Sequence, residues 1–215
     1  MDGLAAIVSE ETWRSLVSAG VPKIHDPGSV ILYQGDPPTH VLLLLAGRVR
    51  VSRVAADGTV LILAVRGPGE LLGEIAVLGD DDRSATVTAI DRCHTRLIPA
   101  DRFVALVRSL ALEGELLSLA MKRIRESESL RAELAALPAG PRIVHALMRL
   151  WVPESGTQAS VDVGLDQAEL GQATGLSRST VAAELARLRE QGLIVTARRR
   201  IVVTDVNALR KLAAE

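Results

Sequence analysis

Between Gly69 and Leu78 the chain reads Gly-Glu-Leu-Leu-Gly-Glu-Ile-Ala-Val-Leu, and Arg83-Ser84-Ala85-Thr86-Val87 follows shortly after. A glycine at position 73 lets the backbone approach an anion, and a short helix starting there points free amides outward. Ile75 and Ala76 fall in the first turn of that helix. Arg83 carries a planar fork of donors that matches a phosphate. Ser84 adds a hydroxyl and its own amide, and Ala85 leads into the next strand. Glu74 would repel a phosphate directly, yet it can accept a hydrogen bond from a sugar hydroxyl. Taken together, the three parts suit a ribose phosphate better than a bare anion.

A second constellation begins at Gln167 and runs QAELGQATGLSRSTVAAELARLREQGLI. Gly171 is small where two helices must cross closely, and Gly175 sits at a turn that needs positive φ. Asp166 and Ser177 are placed to cap the two helices, and Val181 and Leu185 share the inner face of the second. The spacing predicts a helix-turn-helix. Its second helix presents Ser177, Arg178, Ser179, Thr180, Ala182 and Ala183 near its exposed N-terminal part, where side chains of such motifs reach base edges. Arg178 is the candidate for a bidentate guanine contact. Arg187 lies further along the same helix. Arg198, Arg199 and Arg200, before Ile201-Val202-Val203, suit the tip of a wing on the DNA backbone.

The elements that must position these residues fall into three regimes. Residues 9–19 predict a short helix capped by Ser9. From Val21 to Pro99 short apolar runs alternate with turn signals such as Asp26-Pro27-Gly28, Gly35-Asp36-Pro37-Pro38 and Asp57-Gly58, the pattern of an antiparallel roll. After Asp101 the pattern is helical to about Leu137. Leu117, Ala120, Ile124, Ser127, Arg131 and Leu134 make a heptad-like stripe that predicts a dimerising helix. Pro138-Ala139-Gly140-Pro141 ends it. Beyond lie a helix over 142–151, a short strand, the two-helix motif, a hairpin near Leu193–Thr204 and a closing helix from about Val206. The expected architecture is α+β, with a roll over 1–110, a dimerisation helix over 111–137 and a winged helix-turn-helix over 138–215.

The segment around Gly73 and Arg83 resembles the phosphate-binding cassette of cyclic-nucleotide-binding domains. Gly28, Gln34-Gly35-Asp36 and Gly47-Arg48-Val49 match further positions of that pattern. Roll, long helix and winged helix-turn-helix, in this order over nearly the whole chain, are similar to the Crp/Fnr family of bacterial regulators. The resemblance implies a homodimer that binds double-stranded DNA at a two-fold-related site, responds to a cyclic nucleotide and works with RNA polymerase. It also implies that Ser127 and Glu128 contact the base, partly from the opposite subunit. Ser84 before Ala85 resembles the cyclic-AMP type of cassette, so cyclic AMP is the expected effector. Two departures qualify the match. Glu128 stands where cyclic-AMP-responsive members carry a small hydroxyl residue. Ser177 to Ala183 reads Ser-Arg-Ser-Thr-Val-Ala-Ala where those members read Ser-Arg-Glu-Thr-Val-Gly-Arg, so their operator does not transfer. The alternative is a regulator of the same type that answers a different small molecule or acts without a nucleotide.

Composition bounds the remaining classes. Of 215 residues 48% are hydrophobic and 24% charged, a balance that supports a sizeable core. The longest apolar run, Val41 to Ala46, is far short of the roughly 20 residues of a membrane span. Asp2, Glu10 and Glu11 interrupt any signal pattern, so the expectation is a cytoplasmic protein. Net charge is −1, but residues 138–215 carry ten Lys/Arg against eight Asp/Glu and the remainder fifteen against eighteen. The excess of positive charge thus sits with the helix-turn-helix. Cys93 is the sole cysteine, which excludes an internal disulfide, and the four histidines show no ligand spacing. With no nucleophile–base pair, metal cluster or dinucleotide fingerprint, no enzyme, catalytic residue, metal or cofactor is expected.

Overall fold

The computed structural model describes residues 3–152, 161–197 and 200–213. A 3-10 turn over Leu4–Ala6 leads into helix α1, Glu10–Ala19, whose start is fixed by the Ser9 hydroxyl accepting from the Thr12 amide at 3.1 Å. Strands β1 (Val21–His25), β2 (Val30–Leu32), β3 (His40–Ala46), β4 (Val49–Val54), β5 (Val60–Arg66), β6 (Leu71–Leu72), β7 (Thr86–Ala89) and β8 (Cys93–Pro99) follow. Helix α2, Glu74–Gly79, lies between β6 and β7. The strands make two four-stranded antiparallel sheets of order β1-β8-β3-β6 and β2-β7-β4-β5. The predicted roll is present.

The apolar run of β3 is buried on both faces, because successive side chains point to opposite sides of a strand. Val41 and Leu43 join Leu16, Ile98 and Phe103, whereas Leu42 and Leu44 join Leu32, Val49 and Val87 between the sheets. Asp57-Gly58 turns the β4–β5 hairpin. Gly58 takes φ +83° there, and the Asp57 carboxylate accepts from the Thr59 amide at 2.9 Å.

The helical stretch expected from Asp101 to about Leu137 is two helices, α3 (Ala100–Ser109) and α4 (Glu113–Ala136). Leu112 is only 2% exposed, and its amide reaches back to the Val107 carbonyl at 2.9 Å. That tight helix end forces Ala111 into positive φ, +50°, a position usually left to glycine. The 24-residue α4 buries Leu116, Leu119 and Leu130, and exposes Leu117, Met121 and Ile124 on another face. The exposed stripe therefore includes Met121, which the expected stripe omitted.

Helix α5, Ala139–Leu150, begins three residues before the expected 142. Pro141 sits in its first turn, where a missing amide hydrogen costs no hydrogen bond. Then come β9 (Val161–Asp162), α6 (Gln167–Thr174), α7 (Arg178–Glu190), β10 (Ile194–Ala197), β11 (Arg200–Val203) and α8 (Val206–Leu212), with sheet order β10-β11-β9. Ile143, Leu147, Leu170, Val181 and Leu185 form the core of this C-terminal unit. Ile62 and Val65 of β5 belong to the same cluster, so the unit is seated on the roll.

Polar ties run beside that contact. Arg48, 6% exposed, grips Asp91 through two hydrogen bonds of 2.7 and 3.0 Å and donates to the Asp162 carbonyl of the C-terminal unit. Arg50 pairs with Glu169 of α6. Among the described residues no helix is long and apolar enough to cross a membrane.

Cys93 lies in the core between the sheets, with its Sγ 3.2 Å from the Arg48 carbonyl. Burial, aided by Asp91, pushes its thiol up to about 11. The thiolate is the reactive form. The folded protein should therefore not react with a chromogenic disulfide reagent at pH 8, and should release one equivalent of chromophore once denatured.

Candidate functional site

The first site starts where β6 ends. Gly73 takes φ +84° and opens α2, so the chain turns sharply beneath the sheet. A side chain here would also collide with a neighbour, because a Cβ at Gly73 would lie 2.3 Å from Arg83 Nη1. Arg83, 4% exposed, donates to the Gly73 carbonyl at 2.7 Å and to the His40 carbonyl. Its backbone is pinned by the Gly35-Asp36 turn. The Gly35 amide donates to the Arg83 carbonyl at 2.8 Å, and the Arg83 amide to the Asp36 carbonyl at 2.9 Å. Burial holds the Arg83 guanidinium below its ordinary pKa, with Glu74 and Asp36 acting against that.

A cavity of about 620 Å³ opens over this segment. Gly73, Glu74, Ile75, Ala76, Arg83, Ser84, Ala85 and Ser127 all line it. Ile75 and Ser84 are exposed, Ala85 is half-buried and Ala76 is buried. Glu128 is exposed on α4 and lies outside the lining of its own chain's cavity.

Four charged residues that the sequence reading did not single out, Arg123, Glu70, Arg66 and Glu126, surround the cavity floor. Glu74 and Glu70 are 4% and 5% exposed. Arg123 of α4 pairs with Glu74 Oε1, donates to the Leu71 carbonyl at 2.7 Å and meets Glu70 Oε2 at 3.2 Å. Arg66 bonds Glu126 at 2.6 Å and lies 3.8 Å from Glu70 Oε1. Glu74 Oε2 is buried with no partner, a free acceptor on a residue that lines the cavity. Burial pushes the Glu74 carboxyl above the usual range, and Arg123 pulls it back. The available signal was Glu70, a charge inside the apolar Gly-Glu-Leu-Leu run. Arg123 and Glu126, charged residues within a long helix, carry no such signal.

The second site is the two-helix motif. Asp166 accepts from the amides of Ala168 and Glu169, each at 2.9 Å, and Glu169 returns a bond to the Asp166 amide at 2.8 Å. That reciprocal cap fixes the start of α6. Gly175 takes φ +65° at the turn, and a Cβ on Gly171 would come within 3.1 Å of the Leu176 carbonyl. The Ser177 hydroxyl caps α7 by accepting from the Thr180 amide at 3.2 Å, and it also meets the Ser179 and Thr180 hydroxyls.

With Val181 and Leu185 buried, α7 turns Arg178, Ser179, Ala182 and Ala183 to solvent and leaves Thr180 half-buried. Arg187, also exposed, pairs with Glu184 at 3.0 Å. Arg200 is held by Asp162 at 2.7 Å, while Arg198 and Arg199 lie outside the described residues. Arg178 and Ser179 of the first turn of α7 are therefore exposed. Among the described residues, no three His, Cys, Asp or Glu side chains converge as a metal site.

Comparison with known proteins assigns both sites to recognised domains. Residues 22–109 match the cyclic nucleotide-binding domain and residues 141–212 the Crp-like helix-turn-helix domain. The cyclic AMP receptor protein of Thermus thermophilus is 30% identical over 192 residues, which cover 89% of this chain and 87% of that protein. A CRP-like cAMP-activated global transcriptional regulator of Mycobacterium tuberculosis is 24% identical over 86% of this chain and 85% of its own. Among solved structures, the c-di-GMP-responsive global regulator CLP of Xanthomonas campestris superposes with a TM-score of 0.74 at 21% identity. That match covers 91% of this chain and 99% of the other, a likeness of fold.

Proposed function

This chain belongs to the Crp/Fnr family of transcription regulators, which are not enzymes, and from that premise we propose that cyclic AMP is its effector and that it reads a two-fold-symmetric DNA site as a homodimer. The observation that carries the effector reading is the single cavity in which an arginine, a tight glycine turn, a free buried carboxylate oxygen and a hydroxyl on α4 converge. Arg83, Ser84 and the backbone from Gly73 to Ala76 hold the cyclic phosphate. Arg83 turns its donors from the two carbonyls to the stronger charged acceptor. Glu74 Oε2 accepts from the ribose hydroxyl, and Ala85 closes that end. Ser127, and Glu128 from the second subunit, face the base. The likeness to the Thermus and Mycobacterium proteins supports cyclic AMP over other nucleotides. Glu128, in place of a hydroxyl residue, favours the second reading, an effector other than cyclic AMP.

The dimer reading rests on α4. Leu117, Met121 and Ile124, at 60%, 43% and 49% exposure, fall on one helical face in water. A second copy of the same helix covers them. Two recognition helices then lie in successive major grooves, one helical turn apart. Ser177, Ser179 and Thr180 meet phosphates or base edges and Arg178 a guanine, with Ala183 against the bases. Arg187 and the wing, Arg198 to Arg200, hold the backbone. The protein acts in the cytoplasm, beside RNA polymerase.

Calorimetric titration tests the effector. Cyclic AMP should bind the wild type, bind cyclic-GMP-competitively, and lose about tenfold or more in affinity on Arg83→Ala, the scale of a deleted charge-assisted contact. Absence of heat with either nucleotide would sink the assignment. Sedimentation tests the seam. The double variant Leu117→Asp, Ile124→Asp should run as a folded monomer where the wild type runs as a dimer. A wild-type monomer, or a dimeric variant, would refute it.

A further inference from the structure

The cavity has a third wall, and it comes from the DNA-binding unit. Arg149 at the end of α5 and Trp151 and Val152 just beyond it line the same space as Gly73 and Arg83. Three contacts seat this segment on the rim. Arg149 Nη1 donates to the Leu63 carbonyl at 3.4 Å, and Arg149 Nε lies 3.5 Å from Glu133 of α4. Val152 packs so closely on Gly67 that a Cβ there would fall 2.3 Å from Val152 Cγ1. Glycine at position 67 is what lets the segment sit down on the roll.

The chain has only two tryptophans, one tyrosine and one phenylalanine. Phe103 is in the core of the roll, Trp13 packs on that core and Tyr33 is exposed. Trp151 is the one aromatic ring lining the cavity among the described residues. Its Nε1 is buried with no partner, so no hydrogen bond to the protein fixes the ring. A purine needs its flat apolar faces covered, and an indole does this without regard to which purine is bound.

We propose that Trp151 is a ligand-contacting residue: its indole, carried by the DNA-binding unit, is the wall on which the purine of the bound cyclic nucleotide packs. The inference rests on the cyclic-nucleotide reading above. Its consequence is that the nucleotide touches the roll, α4 and the DNA-binding unit at once. A ligand that contacts the unit in one arrangement and not in another has the differential affinity that a population shift requires.

The test uses the full-length wild type, Trp151→Phe and Trp151→Ala, each checked for folding by circular dichroism and titrated with cyclic AMP and cyclic GMP by calorimetry. Losing a stacked ring should weaken binding about fivefold or more in the alanine variant, and about twofold or less in the phenylalanine variant. Subtracting the Trp151→Phe emission from that of the wild type isolates Trp151. Nucleotide should shift that emission and protect it from acrylamide. Equal affinity in all three proteins, or a Trp151 that becomes more quenchable on binding, overturns this inference while leaving the effector reading intact. No nucleotide binding to the wild type overturns both.

Discussion

Glu70 and Glu74 are carboxylates with almost no access to water, and removing such a charge from water costs several kcal/mol unless a cation meets it. Arg123 meets both, together with the Leu71 carbonyl at the end of β6. Arg123 stands on α4, so the long helix must cross the roll where these acids lie. Arg66 with Glu126 adds a second tie between β5 and the same helix. That crossing decides which face of α4 covers the cavity and which is left over. Leu130 and Ser127 line the cavity, while Leu117, Met121 and Ile124 lie on another face in solvent. The effector site and the proposed dimer seam are thus two faces of one electrostatic constraint.

The C-terminal unit is placed by a different kind of force. Ile62 and Val65 of the hairpin strand are shared with its core, and the hydrophobic contact carries no direction of its own. Direction comes from Arg48, held by Asp91 and reaching the Asp162 carbonyl, and from Arg50 on Glu169 of the α6 cap. Trp151 and Val152 put that unit at the cavity edge, so cavity and seat share the same few residues.

Much of this is legible in the sequence alone. Gly73, Gly175, Ser9, Ser177 and Asp166 occupy positions where backbone geometry or a helix end admits few residue types, and local chemistry alone identified them. The turn at Asp57-Gly58 was equally local. What the sequence hid was long-range. Arg123 and Glu126 look like any solvated pair on a helix until Glu70 and Glu74, about 50 residues earlier, fold beneath them. Ala111 gave no turn signal, because the break between α3 and α4 is imposed by the burial of Leu112. Trp151 read as the end of a helix, since nothing nearby says which cavity it would reach.

The central claim is that one cavity lets a cyclic nucleotide set the affinity of the helix-turn-helix for DNA. Coupling of this kind is reciprocal. The most direct measurement is a pair of anisotropy titrations on a DNA site selected from random sequence: DNA with and without saturating cyclic AMP, and fluorescent cyclic AMP with and without that DNA. The account predicts that cyclic AMP tightens DNA binding by about 5–150-fold and that DNA tightens cyclic AMP binding by the same factor. DNA affinity that is unchanged by saturating cyclic AMP would contradict it.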